Sequence, residues 1–417
     1  MKLSKKSKLL MSFLTKNNYI NQSSQTRSTA KTLTELYSEI LKSYNYLASL
    51  KKSYGEKFYN INIKHIQSAL QITKPKNFNN NSFPIEVRNH IDTLVFSELH
   101  YSFSLFDKNI KLIFIVEDEN IEQKIEIYNK YVDAIIMWIY ILNEYASKFC
   151  AKIFTVYFYF TSLEKKLPSS DLFVLDEINA NTAFTTTCPR NSEIIIYRKE
   201  EWFKVFMHET FHNFGLDFSD MNTNACTMDI LKIFPVKSDV NLYEAYAEYW
   251  AEIMNALFCS FLDLKNKKNV DEFLINADLF INFERSHSFL QLVKTLHFMR
   301  LTYKDLYLKN LNSQVLRDTL YKEKTNILSY YVIKTIMMNN YQGFLSWCSH
   351  HNNTLLQFRK TPTNIKDFCN FIEKNYKTKS MIENIERTEE MFYKMKSNKN
   401  MNEFLTTNLR MSVCEMG

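Results

Sequence analysis

The stretch "MHETFHNFGLDFSD" (207–220) decides how the rest of the chain is read. It lies at the end of "KEEWFKVFMHETFHNF" (199–214), whose apolar spacing predicts a helix with acids at its start and Gly215 as its stop signal. Within it, His208 and His212 are four residues apart, so both rings stand on one helical face, one turn apart. Glu209 sits beside them. That spacing is what a zinc site with a neighbouring general base requires: two imidazoles on one ion and a carboxylate next to, but outside, the ligand set. The bland alternative is a core helix crowded with Trp202, Phe203, Phe206, Met207 and Phe211.

A second stretch, "NLYEAYAEYWAEIMN" (241–255), decides between them. Glu244, Glu248 and Glu252 recur every four residues on one face of a strongly apolar helix, without a Lys or Arg among the fifteen residues. Buried carboxylates are costly unless a metal or hydrogen-bond donors satisfy them. One acid as a third zinc ligand, and the next accepting a ligand histidine's outer N–H, would satisfy two of them.

At this point the chain resembles the gluzincin clan of zinc metallopeptidases: H-E-x-x-H followed, some tens of residues later, by a helix carrying a third Glu. Leu242-x-Glu244-Ala245-Tyr246-Ala247-Glu248-Tyr249 is similar to the clan's second helical motif, with Ala245 where the clan has Gly. The resemblance implies zinc held by His208, His212 and Glu244, with Glu209 as general base and Glu248 behind the ligands. Glu248 as ligand with Glu252 behind it is the alternative register. Asp217 and Asp220 are alternatives for the third ligand, though Asp217 reads better as orienting the turn after the metal helix. Phe218 occupies the position a metzincin would need for its last ligand. The resemblance also implies an edge strand for peptide substrate, placed at Asn179, Ala180, Asn181, Thr182, Ala183 and Phe184, and a downstream oxyanion donor. Tyr331, its neighbour Tyr330, or His287 are the candidates, with Tyr331 preferred. With an amino-acid composition of the kind an AT-rich gene encodes, together with this zincin-like core, the chain also resembles metallopeptidase-like proteins of large DNA viruses.

The remaining patterns set the frame. The chain has 417 residues, 46% hydrophobic and 15% aromatic, with only 4 Gly and 6 Pro; this disfavours phosphate loops, propellers and turn-dense sandwiches and favours helix-rich packing. "LHYSFSLF" and "IKLIFIVED" predict a hairpin turned at Asp107–Asn109, "EQKIEIYNKYVDAIIMWIYILNEYASKF" (122–149) a helix, and "KIFTVYFYF" (152–160) and "SEIIIYR" (192–198) strands. The fold class expected is α+β: a zincin-like core with a small mixed sheet, an edge strand and the active-site helix, followed by a mostly helical C-terminal region. The expected division is a basic, disordered tail (1–34), a helical variable region (35–94), the catalytic core (95–260) and a helical domain (261–417).

The net charge of +7 is concentrated in the acid-free first 34 residues. That start would be the arm of a nucleic-acid factor, but no aromatic-interleaved basic patch or recognition motif accompanies it, so no nucleic-acid partner is expected. No segment is apolar enough for a membrane span. Seven cysteines without C-x-x-C point to reduced thiols and a cytoplasmic setting, the host cytoplasm or virion were the chain viral. Cys188, beside the edge strand, reads as a bystander thiol, and His350-His351 as surface. The function these readings imply is zinc-dependent hydrolysis of a peptide or protein substrate. A structural, inactive zincin-fold protein is the rival.

Overall fold

The computed structural model describes residues 3–20, 24–398 and 401–416. Its centre is one six-stranded sheet in the order β1-β2-β3-β4-β6-β5, formed by β1 (Asn60–His65), β2 (Ser97–Leu105), β3 (Lys108–Val116), β4 (Ile153–Phe160), β5 (Ala183–Phe184) and β6 (Asn191–Ile196). The hairpin predicted from alternation is β2–β3, antiparallel with Leu105 opposite Lys108; Phe106 and Asp107 turn it with φ of 51° and 58°. β3, β4 and β6 are parallel, and β5 closes the row as an antiparallel edge. β1 is too short and too exposed to carry a period, and the sequence does not announce it.

Strand alternation splits the interior in two. Ile113, Ile115, Tyr157, Tyr159, Ile195 and Tyr197 face a small layer built from Phe78, Phe83 and α3 (Ile85–Leu94). The opposite face, including Phe114, Val156, Phe158 and Ile194, meets the main core under α4 (Ile125–Tyr145) and the metal-motif helix α6 (Trp202–Asn213). Trp202 anchors the start of α6 against Tyr131 and Phe158, with ring centroids 4.7 and 5.7 Å away. Helix α8 (Leu242–Asp263) lies across α6 through Phe203–Phe258 and Phe211–Tyr246 contacts. Beyond it the chain is helical, led by α9 (Val270–Phe298). The architecture is mixed α+β, as expected.

One expectation fails. The basic start is not a solvated tail. Ser4 caps α1 (Lys5–Lys16), which buries Leu10, Phe13 and Leu14, and Thr26 caps α2 (Arg27–Tyr54). Lysines occupy the outer face of α1 while every third or fourth residue is apolar, a pattern that a count of charge alone conceals. Cys150 lies within disulfide distance of Cys188, and Cys226 of Cys369, while Cys259, Cys348 and Cys414 are buried thiols. Among the described residues no helix is long and apolar enough to cross a membrane.

Candidate metal centre

Helix α6 is held at both ends. Its last turn is closed by Gly215 at φ +66°, with Leu216 N–H donating to the Phe211 carbonyl at 2.8 Å. Asn213 ties it to the sheet, accepting from Ser192 Oγ at 2.7 Å and donating to Thr185 Oγ1 at 2.9 Å. Such bonds fix the rotation of α6, and with it the direction of the two histidines.

The histidines and the first glutamate of α8 converge. His208 Nε2 lies 3.1 Å from His212 Nε2 and 3.1 Å from Glu244 Oε2, and His212 Nε2 lies 3.5 Å from that same oxygen. A tetrahedral ion at ~2.0–2.2 Å from each ligand separates its donors by roughly 3.3–3.5 Å. The three residues therefore form a group that could hold a metal ion.

The outer faces of both rings are occupied. His208 Nδ1–H donates to Glu248 Oε2 at 2.9 Å, and His212 Nδ1–H donates to Asp217 Oδ2. With each Nδ1–H so engaged, the Nε2 atoms of both rings face each other and the Glu244 carboxylate, where an imidazole proton or a metal cation can join them. The electrostatics favour positive charge at this point. Burial opposes charge on His212, but Asp217 and Glu244 outweigh it and raise its pKa well above the ordinary value. Burial likewise disfavours ionised Glu244, yet His212 and His208 hold its carboxyl well below the usual range.

Glu209 stands beside the triad, nearly buried, and its carboxylate takes no hydrogen bond or ion pair among the described residues. Burial pushes its pKa up to about 7, against the opposing pull of His208 and His212. A carboxyl poised there can accept and return a proton near neutrality. It lines a cleft of about 600 Å³, as do His212 and Glu244. β5 forms one wall of that cleft; residues 237–241 and 323–326 form the other.

Tyr330, not Tyr331, reaches the site. Both tyrosines lie in a π-helical turn (Leu328–Ile333), where, as in any helix, successive side chains point to different sides. Tyr330 OH donates to Glu244 Oε2 at 2.9 Å, whereas Tyr331 OH donates to the Leu409 carbonyl in the interior. His287 is also interior, bonded to the Arg410 carbonyl. The alternative registers are not realised: Glu252 meets Lys334 at 2.6 Å, Asp220 meets Lys360 at 2.8 Å, and Asp217 approaches His212 only from its outer nitrogen. Of the six proposed edge-strand residues, Ala183 and Phe184 form β5, while Asn179 and Ala180 belong to a short helix (Glu177–Ala180) capped by Asp176. Asn179 is consumed there, donating to the Lys166 carbonyl.

Sequence reasoning misses the buried charges behind the ligands. Lys204, one turn before His208, donates to Glu248 Oε1 at 2.6 Å, both side chains being 2% exposed. Glu201 pairs with Lys165 at 3.0 Å and accepts from the backbone N–H of Ser412, in the C-terminal segment threaded through the core. The i to i+4 spacing of Lys204 and His208 is the one signal that points to them. Compared with known proteins, the chain matches no family model, no curated protein and no solved structure.

Proposed function

We propose that this protein is a zinc-dependent metallopeptidase of the gluzincin type, built on a zincin-like core. The observation that supports this most is the convergence of His208 Nε2, His212 Nε2 and Glu244 Oε2 at 3.1–3.5 Å, with both outer imidazole nitrogens held by carboxylates. Two imidazoles and a carboxylate, with an open side toward a cleft, are the donor set of a catalytic rather than a structural zinc site. A zinc ion bound there supplies Lewis acidity and lowers the pKa of a bound water.

The chain's own groups supply the rest. Glu209 takes a proton from the attacking water as the water's oxygen bonds to the acyl carbon. As the C–N bond breaks, Glu209 delivers that proton to the departing nitrogen. Tyr330 directs its hydroxyl toward the same space, where it would donate to the developing oxyanion. Substrate lies along β5. Thr182 carbonyl accepts from Tyr197 N–H, so by alternation the backbone groups of Ala183 face away from β6 and into the cleft, free to pair with an extended peptide.

The test is Glu209→Gln. Metal content should match the wild type while hydrolysis of a peptide library falls about 10²–10⁴-fold, the usual contribution of a positioned acid–base group. Undiminished cleavage would remove Glu209 from the mechanism.

A further inference from the structure

The two walls of the cleft are joined at one end and free at the other. Near Asn181, Thr325 Oγ1 donates to Asn181 Oδ1 at 2.8 Å, directly linking the β5 side to the helical side. Just beyond, Leu175 forms a backbone bridge with Glu323, and Lys324 N–H donates to the Leu175 carbonyl at 2.8 Å. The far wall is itself braced, because Asn241 Nδ2 donates to Asn326 Oδ1 at 2.9 Å beside the start of α8. At the other end, among the described residues, no hydrogen bond joins Phe184, Thr185 or Thr186 to residues 237–241. No such tie crosses the cleft there.

The closure lies near the chemistry. Asn181, Thr182 and Ala183 line the same recess as His208 and Glu209, so the closure at Asn181 stands close beside the metal group. Asn181 is two residues from Ala183, roughly 7 Å along an extended strand, so about one or two substrate residues fit between the reacting bond and the wall. An extended chain cannot continue past it. The wall carries charges of both signs, Lys324 with Glu177 and Glu323, so charge does not select which terminus it meets. Strand direction does. β5 runs from its Asn181 end toward Thr185, and antiparallel pairing is the more stable per residue. A substrate paired in that way brings its carboxyl end to the wall.

We propose that the protein is an exopeptidase acting from the carboxyl terminus, removing one or two residues at a time from extended peptides. This rests on the peptidase reading. Each cycle adds water across one peptide bond: hydroxyl goes to the acyl carbon of the shortened peptide, and the proton to the nitrogen of the released fragment.

The test compares an N-acetylated linear nonapeptide with the same sequence cyclised head to tail, followed by mass spectrometry. The linear peptide should lose residues from its carboxyl end, with the cyclic one cut at least 100-fold more slowly. Comparable cutting of the cyclic peptide overturns the closed cleft and leaves the peptidase reading standing. So does an acetylated peptide left intact while its free-amine counterpart is trimmed from the amino end. If nothing is cut, the peptidase reading falls, and binding to the Glu209→Gln protein decides the cleft by fluorescence anisotropy. Linear peptide bound at least tenfold more tightly than cyclic supports closure; equal binding, or none, overturns it.

Discussion

Helix α8 places three glutamates one turn apart, and they differ in what neutralises them. Glu248 and Glu252 each have a lysine ammonium at 2.6 Å, from Lys204 and Lys334. Glu244, facing the cleft, meets no lysine or arginine among the described residues; its neighbours are two imidazoles and the Tyr330 hydroxyl. The inner positions are neutralised by lysines, whereas the outer one has only imidazoles beside it, in a group that could hold a metal ion. Of the three, Glu244 alone lines the main cleft, its side chain 14% exposed against 2% for Glu248 and 0% for Glu252, so the carboxylate without a lysine is also the one an ion reaches most directly.

The contrast can be broken from its inner side first. Lys204→Met leaves Glu248 and Glu201 without their shared cation and should cost about 3–5 kcal/mol of stability, measured by denaturant unfolding. A loss below about 1 kcal/mol would mean that the inner charges are not a matched set.

Acid should weaken the same region. Burial raises the Glu201 pKa, but Lys165, Lys204 and Arg410 prevail and bring it down to about 2. Stability from ionised Glu201 is fully present above its unfolded pKa of 4.5 and is lost as pH falls through about 2. That contribution is on the order of 3 kcal/mol. Glu201→Gln should flatten the decline between those limits, and an unchanged slope would contradict the assignment.

Glu248 bridges the two regions, so Glu248→Gln should reduce metal affinity about 10–100-fold without abolishing binding, as titration with a competing chelator would show. The smallest effect is expected where both charges go together. Lys334→Met combined with Glu252→Leu should change stability by less than about 1 kcal/mol, since a buried pair is often replaceable by apolar groups.

How far the sequence reveals this depends on whether the signal is local. His208, Glu209 and His212 are one helical turn, and the α8 acids are a period on a single helix, so both are legible in the residues alone. The β2–β3 hairpin and strands β4 and β6 carry strong alternation or continuous apolar runs. What stays hidden depends on contacts distant in sequence. The partners of Glu248 and Glu252 come from other helices, 44 and 82 residues away. Tyr330 and Tyr331 are adjacent and both buried, and only the packing of their turn against α8 decides which one meets Glu244, 86 residues away in sequence. The closed end of the cleft rests on a contact across 144 residues. Residues 179–180 read as extended because Asp176 is an inconspicuous helix cap.

The central claim is that the cation matching Glu244 is an exchangeable metal ion. The most direct measurement is elemental analysis of the purified protein beside Glu244→Ala, after both are stripped with chelator and re-equilibrated with zinc. One equivalent of zinc in the wild type, and at least a tenfold weaker affinity in the variant, is the result predicted. A wild type that takes up no zinc, or a variant that binds it equally well, would contradict the account.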